Sequence, residues 1–138
     1  MRILAVDHGE KRIGLAISDP GGVLAAPLKV IEHISRLIDA AQVAQVTVEH
    51  DAGLVVIGQS FDEDGIPNLA GRRAARFADV LRAQVQVPVV LWDESLSSQD
   101  ARALRLELGV GRKKRSHHLD DLAAVMILQS YLDQRGPG

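Results

Sequence analysis

Three acidic residues of this chain stand at the ends or interruptions of apolar segments. Asp7 follows the run Ile3-Leu4-Ala5-Val6, Glu94 follows the run Val87–Trp92, and Asp120 opens an apolar closing segment. A carboxylate in such a place costs free energy unless a partner or a metal neutralises it. These three acids are therefore the first candidates for site residues.

The chemistry that three converging acids suit is metal-assisted phosphoryl transfer. Mg²⁺ and Mn²⁺ prefer carboxylates, water and phosphate oxygens as ligands. Two such ions about 3.5–4 Å apart can clamp the attacking and leaving oxygens of an in-line displacement. We expect Asp7, Glu94 and Asp120 to be metal ligands and catalytic groups, with Asp7 bridging two ions because a central strand is rigid.

Each acid also has a structural explanation. Asp7 could pair with Lys11 or Arg12 across a hairpin, which we weigh below the metal role. Glu94 and Asp120 could be acids at helix starts, where the helix dipole favours negative charge. For Asp121, the neighbour of Asp120, this structural explanation is the preferred one, and a contribution to the site stays open.

The elements that must position these acids follow from hydrophobic periodicity. The short link between the first two strands predicts an antiparallel hairpin, and single strands alternating with helices predict parallel crossovers. The result is one α/β domain over residues 1–138, a mixed five-stranded sheet with helices on both faces. The predicted strands are 2–7, 12–18, 23–31, 54–58 and 87–92, and the predicted helices are 33–50, 68–84, 97–108 and 119–134.

This arrangement has consequences for individual residues. The carboxyl ends of parallel strands share one edge, so Asp7 and Glu94 are expected to meet there. Asp120 is expected to face the sheet, because it continues the stripe of Ala124, Ile127, Leu128 and Tyr131. Pro27 puts the third strand near an edge. In the first helix, the expected apolar face comprises Ile34, Leu37, Ile38, Ala41 and Val48.

Composition limits the function classes. The 138 residues contain no cysteine, which excludes disulfide and thiolate chemistry and favours a reducing, cytoplasmic location. No apolar stretch is long enough to cross a bilayer, so no membrane association is expected. The net charge is −2 and only 3% of residues are aromatic, which argues against grip on single strands by base stacking.

Basic residues before the closing helix are the expected substrate contacts. Four consecutive basic residues lie shortly before Asp120. We favour contact between these residues and the phosphate backbone of a nucleic acid over the alternative of a merely solvated loop. Gly9 would let a phosphate approach the backbone closely. Arg72, Arg73 and Arg76 form a basic face on the second predicted helix, which by default is simply exposed and could be a second nucleic-acid contact. His8 is expected opposite Asp7 without a role. The expected substrate contacts are Gly9, Arg12, Arg112, Lys113, Lys114 and Arg115.

Three segments resemble one known family along nearly the whole chain. The opening segment Asp7-x-Gly9-x-x-Arg12-Ile13-Gly14-x-Ala16-x-Ser18-Asp19 is similar to the first motif of the YqgF proteins, also described as RuvX or Holliday-junction-resolvase-like. The segment Trp92–Ser98 and the closing helix Leu119–Leu132 resemble two further motifs of that family. The order and spacing of all three are far more specific than any one alone.

The resemblance implies an RNase H-like fold and a metal-dependent endonuclease with Asp7, Glu94 and Asp120 as its acids. It implies Mg²⁺ or Mn²⁺, two ions in all, and a nucleic-acid substrate, with processing of the 5′ end of pre-16S rRNA favoured over DNA. Two departures bear on substrate handling. Ser95 stands where the family usually has Arg, and Gly58-Gln59-Ser60 replaces its usual Gly-x-Pro segment.

Other functions stay open at this point. The chain could resolve branched DNA junctions, or bind nucleic acid or assembling ribosomes without cleaving. The Asp7-x-Gly9 turn also resembles the phosphate loop of actin-like ATPases and sugar kinases, but those need two lobes and 138 residues supply about one. The chain could be a monomer or a homodimer, and a junction-cutting role would call for a symmetric dimer.

Overall fold

The sheet and its flanking helices follow the predicted order. The computed structural model describes residues 1–97 and 115–135. The strands are β1 (Arg2–His8), β2 (Arg12–Ser18), β3 (Ala25–Glu32), β4 (Ala52–Gln59) and β5 (Val89–Asp93). The helices are α1 (Arg36–Glu49), α2 (Leu69–Arg82) and α3 (Arg115–Arg135), and a 3-10 helix, Glu94–Ser97, follows β5.

β1 is the central strand of the sheet, whose order is β3-β2-β1-β4-β5. Its residues Ile3–Val6 are fully buried, as an apolar run without alternation predicts. β1 pairs antiparallel with β2 and parallel with β4, and β4 pairs parallel with β5. The carboxyl ends of β1, β4 and β5 therefore share one edge, which confirms the predicted mixed sheet.

Two separate cores lie on the two faces of the sheet. On one face, Val6 belongs to a core with residues of α1 and α2, including Val43 and Phe77. On the other face, Ala5 belongs to a core with Ile127 and other residues of α3. Because successive side chains of a strand point to opposite faces, Asp7 lies on the α3 face and the next residue on the α1/α2 face.

The predicted apolar face of α1 was wrong. Ile34, Leu37, Ile38 and Val48 are exposed, and the side that faces the sheet instead carries Ala40 and Val43. The reason lies in the first turn, where the buried carboxylate of Asp39 accepts hydrogen bonds from the backbone of Ile34 and the ring of His33. These bonds turn Asp39 inward and bring the small side chains that follow it onto the sheet.

The start of α3 also differs from the prediction. α3 begins at Arg115, four residues before the predicted start at Leu119, and no Gly or Pro within residues 115–119 opposes this extension. The helix predicted for residues 97–108 falls largely outside the described residues. β3 is an edge strand as predicted, with Pro27 opposite Ala16. No helix within 1–97 and 115–135 is long and apolar enough to cross a membrane.

Asp19 closes the turn between β2 and β3 and provides a pH-dependent test of the fold. Its carboxylate accepts the N–H groups of Val23 at 2.7 Å and Leu24 at 2.9 Å, and the bonds from Leu24 and then Val23 lower the pKa of Asp19. An unfolded chain keeps the ordinary aspartate pKa of about 3.9. The stabilisation is therefore present above that pH and is lost as the pH falls through the folded-state pKa.

We expect Asp19→Ala to lower the melting temperature at pH 7 and the difference from wild type to shrink under acid conditions. Thermal unfolding followed by circular dichroism at neutral and acidic pH measures both values. Asp64→Ala, which removes an exposed loop carboxylate, is the control and should leave the melting temperature unchanged. An equal difference at both pH values would mean that the carboxylate bonds are not its source.

Candidate active site

Glu94 approaches Gly58 at the carboxyl edge that β4 shares with β1, the strand that carries Asp7. Val6 of β1 pairs with Ile57 of β4, so Asp7 and Gly58 come next, side by side. A Cβ atom added to Gly58 would lie 3.0 Å from Oε2 of Glu94 and 2.5 Å from Cδ1 of Ile127. A side chain at position 58 would therefore displace Ile127 and require Glu94 to move by a few tenths of an ångström.

Glu94 sits in an environment that penalises its negative charge. It is half-buried at the start of the 3-10 helix, and burial, followed by the charge of Asp93, raises the pKa of the Glu94 carboxyl. Asp93 itself accepts the backbone N–H of Ser95 at 2.9 Å, which helps to close the turn. A cation beside Glu94 would offset both unfavourable effects.

α3 is fixed against the strand that leads to Glu94. The indole Nε1 of Trp92 donates to Ser130 Oγ at 3.2 Å, and the Trp92 ring meets Tyr131 edge to face with centroids 5.2 Å apart. Asp120 lies seven residues before Ile127, about two helical turns, so its backbone position is on the sheet side of α3.

The side chains of Asp120 and Asp121 lie outside the described residues. Among the side chains that the structure does describe, no three His, Cys, Asp or Glu groups cluster to hold a metal. The structure thus brings Asp7 and Glu94 to one edge, and the completion of the trio by Asp120 stays a prediction.

The predicted substrate contacts fall into two groups. Gly9 forms the tight turn between β1 and β2, where its N–H donates to the carbonyl of Arg12 at 2.9 Å and an added Cβ would lie 2.5 Å from that oxygen. Arg12 begins β2. The rest of the set is residues 112–115, the last of which is the first residue of α3. Arg112, Lys113 and Lys114 lie outside the described residues, as does the side chain of Arg115.

The Gln59-Ser60 segment, a departure from the family pattern, is held against the start of α2. Gln59 Nε2 donates to the carbonyl of Gly71 at 3.1 Å, and Ser60 Oγ donates to Asn68 Oδ1 at 2.7 Å. Asn68 caps α2 as predicted, accepting the N–H of Gly71 at 2.8 Å. The loop after β4 is therefore tied to α2 without a proline.

Sequence reasoning found only part of a second group of polar side chains, which lies on the opposite face of β1. His8, expected to have no role, lies there beside His33, Arg36, Arg73 and Arg76. Burial, more than any other cause, lowers the pKa of His8. The sequence showed Arg73 and Arg76 as part of a basic helix face, and a further signal was Asp39, an acid close behind His33 in the first turn of a helix.

The chain matches a known protein family and several relatives along nearly its whole length. A family model described as RuvX, Holliday junction resolvase, matches residues 1–134. A relative from Thermoanaerobacter pseudethanolicus is 36% identical over 136 residues, covering 98% of each chain. A relative from Listeria monocytogenes is 41% identical over 138 residues, covering 96% of this chain and 98% of its own. Both relatives are named as candidate pre-16S rRNA nucleases.

Solved structures show the fold. RuvC of Thermus thermophilus in complex with a Holliday junction matches 99% of this chain and 97% of its own, with a TM-score of 0.62 and 18% identity. The fowlpox virus resolvase in complex with junction DNA matches with a TM-score of 0.58, at 14% identity over 98% and 99% of the two chains. The fold is thus RNase H-like, as expected, and the chain belongs to the RuvX family of resolvase-like nucleases.

Proposed function

We propose that this protein is a divalent-metal-dependent endonuclease that hydrolyses phosphodiester bonds in structured RNA, with precursor 16S rRNA as its substrate. The observation that carries the proposal is the placement of Asp7 and Glu94 at the same carboxyl edge of the sheet, with Glu94 beside Gly58. Family membership supports the nuclease class, and the names of the relatives support the RNA substrate.

The donor set fits Mg²⁺ or Mn²⁺. Asp7, Glu94 and Asp120 would hold two ions through carboxylate oxygens, the ligands that such hard cations prefer. The half-buried Glu94, with its raised pKa, is a carboxylate whose charge a cation would stabilise. When bound, the metal would lower the pKa of the attacking water and stabilise charge on the phosphoryl oxygens.

The protein's own groups would hold and orient the substrate. Asp7 is fixed by the central strand, and the Asp93–Ser95 bond and the Trp92 contacts hold the turn that carries Glu94. The basic residues of 112–115 would contact phosphates and so position the strand without reading its sequence. Processing of ribosomal RNA by this enzyme would take place in the cytoplasm.

The test is cleavage of a transcript that carries the 5′ end of precursor 16S rRNA. We expect cleavage with Mg²⁺ or Mn²⁺, none in EDTA, and recovery when the metal is restored. A four-way DNA junction is the parallel substrate, since the family model is described as a junction resolvase. If the protein cut the junction in preference to the transcript, the proposed RNA substrate would be wrong and branched DNA would take its place. Salt-sensitive binding without cleavage under either ion would contradict nuclease activity.

A further inference from the structure

A cleft of ≈ 520 Å³ opens at the carboxyl end of β1, on the face opposite Asp7. Its walls come from the end of β1, the turn after it, the start of α1 and one side of α2. The side chains that matter are those of His8, Glu10, His33, Arg36, Arg73 and Arg76.

Positive charge dominates this cleft. Arg73 and Arg76 lie one turn apart on α2, and Arg36 is the first residue of α1. In the ranges the structure describes, none of these three guanidinium groups forms an ion pair. Glu10 is the one acid among the described lining residues. Three like charges held close together repel one another, and a bound anion would offset that repulsion.

A buried carboxylate orients one imidazole of the cleft. Asp39 is fully buried and accepts a hydrogen bond from Nδ1 of His33, whose side chain is 40% exposed. With Nδ1 held in this way, Nε2 is the ring nitrogen left for a ligand. A fully buried acid that fixes a half-exposed histidine beside three arginines is a feature of a built binding site rather than of a solvated surface.

The lining suits a phosphate better than a base. Phe77 is fully buried, and the ring of His8 covers it with centroids 4.7 Å apart. The described lining residues thus include no Phe, Tyr or Trp ring on which a base could stack. The groups presented are guanidinium and imidazole, and guanidinium groups make strong charge-assisted bonds to phosphate oxygens.

We propose that this cleft binds a backbone phosphate of the nucleic-acid substrate, a few nucleotides from the bond that is cut. The proposal rests on the proposed nuclease function for the identity of its ligand. Asp7 and His8 are successive residues on opposite faces of β1, so a strand that crosses the end of β1 would contact the acids on one side and the arginines on the other.

The test measures binding separately from cleavage. Affinity of a single-stranded RNA is measured by fluorescence anisotropy in EDTA over a series of salt concentrations. For R73Q/R76Q we expect roughly tenfold weaker binding and a salt slope smaller by about 0.7, the loss of one phosphate contact on a single strand. The control K29Q/R72Q removes the same charge from exposed positions outside the cleft and should bind RNA as wild type does.

Three results would overturn the assignment. In the first, R73Q/R76Q binds RNA as tightly as wild type does. In the second, the control K29Q/R72Q loses as much RNA affinity as R73Q/R76Q does. In the third, AMP displaces the RNA at concentrations far below those that orthophosphate requires. The last would mean that the cleft holds a free nucleotide. Melting temperatures of both variants near that of wild type exclude misfolding as a cause. Absence of cleavage with Mg²⁺ or Mn²⁺ would contradict the proposed nuclease function. It would not change the conclusion drawn from the RNA affinities of the variants.

Discussion

Asp7→Asn is expected to reduce cleavage of the precursor transcript by about 10³-fold while the protein stays folded. The substitution keeps the size of the side chain and removes the charge that would hold the cation. Metal ions supply several kcal/mol of transition-state stabilisation, and each 1.36 kcal/mol is tenfold in rate. Single-turnover cleavage at saturating Mg²⁺ measures the loss.

The control for this experiment is Asp64→Asn, which removes a carboxylate from an exposed loop after β4. It should cleave at the wild-type rate. RNA binding in EDTA should be unchanged in Asp7→Asn, because the proposed backbone contacts lie elsewhere. Equal cleavage by wild type and Asp7→Asn would show that Asp7 holds no catalytic metal.

Gly58→Ala is expected to reduce cleavage about a hundred-fold. The new methyl group would meet Cδ1 of Ile127 at 2.5 Å and Oε2 of Glu94 at 3.0 Å, so both side chains must move. A displacement of about 1 Å in a catalytic group can cost about 10²-fold in rate. Overpacking should also lower the free energy of unfolding by about 1–3 kcal/mol, measured by urea denaturation.

Gly53→Ala is the matched control on the same strand. There the new methyl group meets only the side chain of Met1, with Cγ and Sδ at 2.6 Å, and the flexible end of that side chain can move away. We expect wild-type cleavage from this variant. If Gly58→Ala cleaved as well as Gly53→Ala did, the position of Glu94 beside Gly58 would have no bearing on the reaction.

The predictable parts of the fold are those that hydrophobic pattern alone determines. β1 is buried on both faces, and its apolar run from Ile3 to Val6 contains no polar residue. The placement of Asp7 and Glu94 at one edge followed from the shared direction of β1 and β5. α1 could not be placed, since its orientation depends on the polar bonds of Asp39, which outweigh a stripe of larger apolar residues.

The cleft lined by Arg36, Arg73 and Arg76, which we call the arginine cleft, could not be predicted from the sequence for a different reason. Its residues come from three separate stretches of the chain, around His8, around His33 and around Arg73. No local spacing relates them, because only the packing of α1 and α2 on the sheet brings them together. Arg73 and Arg76 were visible as a basic helix face, but the sequence contained no sign that Arg36 would join them.

The alternation along β1 restricts how the gene can vary in length. Successive side chains of a strand alternate between its faces, so Asp7 and His8 occupy opposite faces. Which face each one occupies depends on the number of residues between it and the buried residues before it. Insertion or deletion of one codon between Ile3 and Asp7 would exchange the faces of every later side chain in the strand. The acid would then enter the arginine cleft and the imidazole would face α3. Homologous genes should therefore tolerate substitutions in this stretch but no change in its length.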